Sequence, residues 1–243
     1  RLVTWLYGAK MVISGQSGMG WDDRNNIWCF PNCFIALSSH AKKWAKKANP
    51  FAKVEYISNG VAAKKFIHHG EKFETDLKKP IVLCAGALTK TKRIELAIRA
   101  VAELKNVSLL VAGDGDLRSM IYDLGCKMLG ERFQLIKVPY EDMPKVYRTA
   151  DVFTLPSESY YSFENAIVEA MASGLPVVAN NDPIRNEIVG NAGILVDPTD
   201  TEAYTEALKT ALTKNWGDKP RKQAEKFSWD IISDKYRKLF NEL

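Results

Sequence analysis

Histidine and cysteine are scarce in this sequence. Its 243 residues hold three histidines, His40, His68 and His69, and four cysteines, Cys29, Cys33, Cys84 and Cys126. Four scattered cysteines build no disulfide scaffold. Cys29 and Cys33 have no second Cys/His pair to complete a zinc site. A three-histidine centre would need every histidine, and His68 and His69, beside Gly70, read as solvent-facing turn residues. Cys84 lies in an apolar run and reads as a small core residue. Neither a metal nor another cofactor is expected. No run of about 18 apolar residues occurs, so no helix is expected to span a membrane. The basic-apolar-small pattern of a signal peptide is missing from the start. The first residue is Arg1, so the chain is expected to begin inside a longer polypeptide. A full G-x-G-x-x-G is missing too. Gly113-Asp114-Gly115 supplies two glycines, but Arg118 holds the third place, which counts against an NAD oxidoreductase.

What remains is ordinary globular material, 46% hydrophobic and 26% charged. The net charge of +5 is uneven: residues 1–79 carry a balance of +7 and the remainder −2. A basic first part suits an anionic surface or substrate. The second part is not basic and has no dense Arg/Lys stripe, so nucleic acid is not expected.

Met11–Ser14, Phe34–Ser38 and Val54–Ser58 read as short buried strands. Ser39 is expected to cap a helix running to about Ala48, stopped by Asn49-Pro50. Residues 66–79 lack apolar periodicity and read as a connector. From Pro80 the pattern becomes regular. Apolar runs stand at Ile81–Ala85, Val107–Ala112, Phe133–Val138, Val152–Leu155, Pro176–Ala179 and Gly193–Val196. Helical stretches are expected at about 91–104, 116–129, 141–149, 163–173, 183–189 and 201–213. Continuous apolar strands alternating with helices predict an α/β, doubly wound parallel sheet covered on both faces. An amphipathic helix is expected over 228–241.

Ligands of such a sheet bind where strand order reverses, between its first and fourth strands when the order is 3-2-1-4-5-6. Two loops lie there. Gly86-Ala87-Leu88-Thr89-Lys90-Thr91-Lys92-Arg93 puts a glycine, two threonines and cations at a helix amino end, which suits an anion. The other loop leads into 162–174. There Phe163, Ala166, Ile167, Ala170 and Met171 form a sheet-facing stripe. Ser162, Asn165 and Glu169 share the opposite face. A carboxylate two turns below a helix amino end can hold a sugar diol while the amides hold a diphosphate. Gly113-Asp114-Gly115 reads as a tight turn with Asp114 or Asp116 capping the next helix.

Pro156-Ser157, Phe163 and the run Glu169-Ala170-Met171-Ala172-Ser173-Gly174-Leu175-Pro176-Val177-Val178-Ala179 resemble the retaining glycosyltransferases of family 4, of GT-B fold. Asn59-Gly60-Val61, the Gly86–Lys92 loop, Gly113-Asp114-Gly115, Ala150-Asp151-Val152 and Phe227-Ser228-Trp229 are similar in the same order. The resemblance implies a remnant of an acceptor-binding amino lobe with connector over 1–72. It implies a nucleotide-sugar-binding Rossmann-like lobe over 73–227 and a closing helix over 228–243 that packs toward the amino lobe. It places Lys92 on the donor diphosphate and Glu169, the second Glu of an E-x7-E motif, on the ribose. Amides near Phe163, Glu164, Asn165 and Ala166 would hold phosphate, with Gly86, Ala87 and Ser162 beside them. Lys137 and Val138 would border the base. Tyr161 stands where the family has its first Glu, Gln16 where it has an amino-lobe His, Ala87 where it has Arg, and Glu164 where it has Gly. The activity implied is metal-independent retaining transfer from a UDP- or GDP-type sugar to a glycan, lipid-linked or small-molecule acceptor, in cytoplasmic polysaccharide or cell-envelope synthesis. The four departures keep open a catalytically weakened nucleotide-sugar-binding module. A GT-B epimerase is a further alternative, although histidine is scarce. Lys42, Lys43, Lys46 and Lys47, around Trp44, form a basic helix face that would dock reversibly at an anionic membrane surface.

Overall fold

A computed structural model describes residues 2–16, 18–160 and 163–243. The chain starts with α1 (Leu2–Leu6), β1 (Val12–Ser14), α2 (Trp21–Trp28), β2 (Cys33–Ala36), α3 (Ser39–Ala48) and β3 (Val54–Tyr56). The three strands are parallel, in the order β1-β2-β3. Alternation along β2 splits the apolar side chains between two faces. Phe34 and Ala36 meet Ile27, Ala45 and Val54 on the α2/α3 side. Cys33 and Ile35 meet Ile57, Ile232 and Leu239 on the other side. The cap of α3 is Ser38, whose hydroxyl accepts from the Ala41 amide at 3.0 Å, and not the expected Ser39. Ser39 is already the first helical residue.

Residues 66–79 carry no helix or strand. Then follow β4 (Ile81–Ala85), α4 (Ile94–Ala102), β5 (Ser108–Ala112), α5 (Arg118–Leu129), β6 (Phe133–Ile136), α6 (Met143–Thr149) and β7 (Val152–Leu155). The chain continues with α7 (Asn165–Ala172), β8 (Val177–Asn180), α8 (Pro183–Val189), β9 (Gly193–Val196), α9 (Thr201–Thr213), α10 (Lys219–Glu225) and α11 (Trp229–Asn241). The six strands form one parallel sheet in the order β6-β5-β4-β7-β8-β9, the expected doubly wound order. Every residue of β4, β5 and β7 is buried, because helices cover both faces. One contiguous core joins this sheet to α4, α7, α8 and α9. Cys84 lies in it, wholly buried.

The helix α11 returns to the first sheet, with Ile232 and Leu239 on its Cys33/Ile35 face. Its start is tied to the outgoing chain. The Val61 amide donates to the Phe227 carbonyl at 2.8 Å, and the Trp229 amide to the Val61 carbonyl at 3.2 Å. Among the described residues no helix is long and apolar enough to cross a membrane.

Candidate functional site

The strand order reverses between β4 and β7, and there the loops 86–93 and 156–164 meet. The Glu158 amide donates to the Thr91 carbonyl at 2.8 Å. The Arg93 guanidinium spans the gap, donating to the carbonyls of Pro156 and Ser157 at 2.9 and 2.8 Å. A Cβ on Gly113 would meet the Gly86 carbonyl oxygen at 2.0 Å. Only glycine lets the loop after β5 run this close to the 86–93 loop.

Two helices start later than their apolar stripes predict. Lys90–Lys92 is a 3-10 turn, and α4 begins after Arg93, at φ +50°. Similarly α7 begins after Glu164, at φ +58°. Phe163 therefore precedes the helix and is buried against Phe227. A side chain in the left-handed region costs about 1–2 kcal/mol. Phe30, Arg93, Tyr160 and Glu164 are the non-glycine residues described with positive φ. Three of the four border this site, where strain is commonly held.

An ion network holds the Glu164 side chain. The Lys92 ammonium lies 2.7 and 2.5 Å from its two carboxylate oxygens. Arg185 of α8 reaches the same carboxylate at 3.3 Å, the Ser157 hydroxyl at 2.7 Å and Asp182 at 3.3 Å. The Lys92, Glu164 and Arg185 side chains are 12%, 5% and 0% exposed. Glu164 was expected to contribute its amide. Its side chain, in addition, occupies Lys92.

Glu169 lies about one turn into α7, not the expected two, because the helix begins only at Asn165; it is half-buried. Tyr147 donates to one of its carboxylate oxygens at 2.8 Å and Tyr140 to the other at 2.9 Å. Burial pushes the carboxyl pKa up, and the two phenol donors only partly oppose this. The Tyr147 ring is fixed by Phe66 and Phe153. Tyr140 packs its edge on Phe66, with the Lys65 ammonium 4.4 Å from its ring centre.

A cleft of about 240 Å³ opens beside Glu164, lined by Gln16, Leu37, Asn59, Phe163, Glu164 and Asn165. Asn59 donates to Asn165 at 3.1 Å and to Gln16 at 3.2 Å. The first sheet thus reaches the amino end of α7 through amide side chains. Tyr161 and Ser162 lie outside the described residues, and Ala87 is exposed.

Two expectations need correction. Asp114 and Asp116 cap nothing, since α5 starts after Leu117 without a side-chain cap. Asp114 pairs with Lys137 at 2.5 Å, which holds its carboxyl below the usual range. Lys137 is thus an exposed ion-pair partner beside half-buried Val138. On α3, Lys42 does not join the basic face: it pairs with Glu55 at 2.9 Å. Lys43, Lys46 and Lys47 remain exposed.

Residues 79–214, more than half of the chain, match the family described as glycosyl transferases group 1. An uncharacterized glycosyltransferase of Methanocaldococcus jannaschii is 31% identical over 76% of this chain. The chain belongs to the glycosyl transferases group 1 family. Another relative, 28% identical over 68% of this chain, is a GDP-mannose-dependent alpha-(1-6)-phosphatidylinositol monomannoside mannosyltransferase of Mycolicibacterium smegmatis. The chain spans about half of these two relatives, 53% and 49% of their lengths.

The fold is that of GT-B glycosyltransferases. The Anabaena HepE protein, solved with UDP and glucose, superposes with a TM-score of 0.82 at 18% identity, over 100% of this chain and 74% of that one. The pneumococcal O-GlcNAc transferase GtfA, solved with UDP and GlcNAc, gives 0.78 at 17% identity, over 99% and 54%.

Sequence reasoning missed Arg185, Tyr140 and Tyr147. An arginine three residues after the Asp182 cap, next to the apolar Ile184 and one turn from Ile188, was a usable signal. A tyrosine on the buried face of α6 was another, since a buried phenol needs a partner.

Proposed function

We propose that this chain carries the donor site of a retaining glycosyltransferase that takes its sugar from a nucleoside diphosphate of UDP or GDP type. One observation carries the reading: a largely buried lysine and the amino end of α7 converge at the switch point, with a carboxylate about one turn further along. Lys92 and the amides of Asn165 and Ala166 bind the diphosphate. Glu169 accepts from the ribose hydroxyls, with Tyr140 and Tyr147 setting its position. During transfer the bond from the sugar anomeric carbon to the diphosphate breaks, and charge grows on the leaving phosphate. Lys92 and the helix dipole stabilise that charge without a metal. The acceptor hydroxyl attacks from the same face and passes its proton to the departing phosphate oxygen, consistent with the resemblance to retaining enzymes. Gln16 faces the sugar end of the cleft, and Tyr161 holds the position of the family's first Glu.

We further propose that the acceptor is a glycan, a lipid-linked intermediate or a small molecule of envelope polysaccharide synthesis. Lys43, Lys46 and Lys47 would approach the cytoplasmic face of an anionic membrane. Residues 1–243 alone are expected to bind nucleotide without transferring sugar, because transfer requires both walls of a water-poor cleft.

A thermal-shift panel of UDP, GDP, ADP and TDP tests the core of this. A ligand at a hundred times its dissociation constant adds about 2.7 kcal/mol. At least one of the four should raise the melting temperature, and silence from all four overturns the reading. The Glu164 carboxylate on Lys92 favours one second reading, a nucleotide-sugar-binding module without turnover. Donor hydrolysis and transfer assays on the full-length protein separate the two.

A further inference from the structure

We infer that Glu164 is a built-in anion occupying the diphosphate position of the donor site, and that its carboxylate sets how weakly a nucleoside diphosphate binds. The inference rests on the donor-site reading above. Both carboxylate oxygens lie within hydrogen-bond reach of the Lys92 ammonium, which is where a phosphate oxygen would sit.

The backbone gives the second observation. Glu164 stands at φ +58°, where glycine would be unstrained and glutamate is not. Local preference does not explain a charged side chain there. Its contacts with Lys92 and Arg185 do. Arg185 gives the third observation. It is fully buried, and its Nε makes no hydrogen bond among the described residues. Two cations, Lys92 and Arg185, face two carboxylates, Glu164 and Asp182, so the resting cluster is neutral. A diphosphate adds a second anion at Lys92. Either it shares the lysine with Glu164 against like-charge repulsion, or Glu164 swings into the adjoining cleft, whose wall it already forms. The site can then recover neutrality only with a ligand that brings its own negative charge. Glu164 thus discriminates against ligands lacking the diphosphate, such as free nucleosides or sugars, and lowers affinity for those that have it.

The opposite role, a carboxylate that merely orients Lys92 for the ligand, predicts the opposite sign. Calorimetry with inorganic pyrophosphate and with UDP and GDP decides between them, using the parent chain, Glu164→Gln, Glu164→Gly, Lys92→Ala and the Lys92→Ala/Glu164→Gln double variant. Glu164→Gly keeps the left-handed backbone without strain, and stands in should the glutamine variant fold poorly. Both Glu164 variants are expected to bind pyrophosphate about tenfold more tightly than the parent, a gain of about 1.4 kcal/mol. Adding Lys92→Ala should remove that gain. If Lys92→Ala weakens the parent but neither Glu164 variant binds more tightly, the inference fails and the donor-site reading stands. If Lys92→Ala leaves UDP and GDP binding of the parent unchanged, or if no variant binds either nucleotide, the donor-site reading fails and the inference with it.

Discussion

The two sheets are built to one plan on different scales. Both are parallel, and helices lie against both faces of each. The six-stranded sheet buries whole strands and feeds one continuous core. The three-stranded sheet has three-residue edge strands, no fully buried residue in β1, and two small separate clusters. Buried apolar area is the main source of stability, and it scales with the number of covered strands. The smaller sheet therefore relies on its neighbours, and α11 is the plainest instance. The difference teaches that the proposed phosphate site rests on the rigid partner, while the opposite wall of the cleft rests on the softer one.

The sharpest way to break that comparison is to truncate one phenylalanine in each sheet. Phe153→Ala in β7 should cost about 4–5 kcal/mol and Phe34→Ala in β2 about 3 kcal/mol, the less enclosed site collapsing more easily. In denaturant melts, Phe34→Ala should leave nucleotide-induced stabilisation intact and Phe153→Ala should abolish it. Hydrogen exchange should open β1–β3 before β4, β5 and β7. Equal protection of the two sheets would show that they unfold as one unit.

Next in size is Lys92→Ala. Loss of one charge-assisted hydrogen bond should weaken UDP or GDP binding by about 1.5–3 kcal/mol, read by calorimetry. Unchanged affinity would move the anion site off the larger sheet.

Glu169→Gln should weaken nucleotide binding by about 1 kcal/mol and leave pyrophosphate nearly untouched. Its pH dependence has a definite sign. Burial raises the Glu169 pKa on folding, so the ionised carboxylate opposes folding. Its cost is absent below the unfolded pKa, grows as pH rises from the unfolded to the folded pKa, and is complete above the folded one. Stability gained by Glu169→Gln should therefore appear towards neutral pH and vanish in acid. The difference in nucleotide affinity between parent and variant should shrink over the same window, since a protonated Glu169 loses its advantage as acceptor. A difference that grows in acid would exclude Glu169 as the ribose ligand.

The smallest effects belong to the softer sheet. Ser38→Ala should cost about 1 kcal/mol without touching nucleotide affinity. Replacing Lys43, Lys46 and Lys47 by glutamate should reduce sedimentation with anionic vesicles, each lysine contributing about 1 kcal/mol. Equal sedimentation with neutral vesicles would leave α3 a solvated face.

Much of the larger sheet was legible because its strands are continuous apolar runs. Ile81–Ala85, Val152–Leu155 and Gly193–Val196 stand where the pattern put them. The helix α2 escaped notice because Asp22-Asp23 and Asn25-Asn26 are poor helix formers and only Asp23 and Ile27 are buried. The short polar α10 hid its contact with the core in Pro220 and Ala224. In the site, Glu169 could be singled out from helical spacing, whereas Lys92 was picked from among Lys90, Lys92 and Arg93 only by the family resemblance. Their partners could not. Glu164 reaches Lys92, and Tyr140 and Tyr147 reach Glu169, only through the order of strands. The late start of α7 depends on a left-handed glutamate, which no local preference announces.

The tie between Val61 and the Phe227–Trp229 turn has a mechanical consequence. The chain leaves the first sheet near Val61 and comes back to it at Ser228, and hydrogen bonds pin the two passages together. Two bodies joined by one strap can swivel freely. Two straps fastened side by side remove the swivel and leave bending across the shared line. Gly60 reinforces the clamp, since a Cβ there would run into the Trp229 indole at 2.6 Å. Any opening of the cleft beside Glu164 should therefore be a one-axis swing pivoting near Val61 and Ser228, with Gln16 and Asn59 sweeping toward and away from the amino end of α7 along one fixed arc.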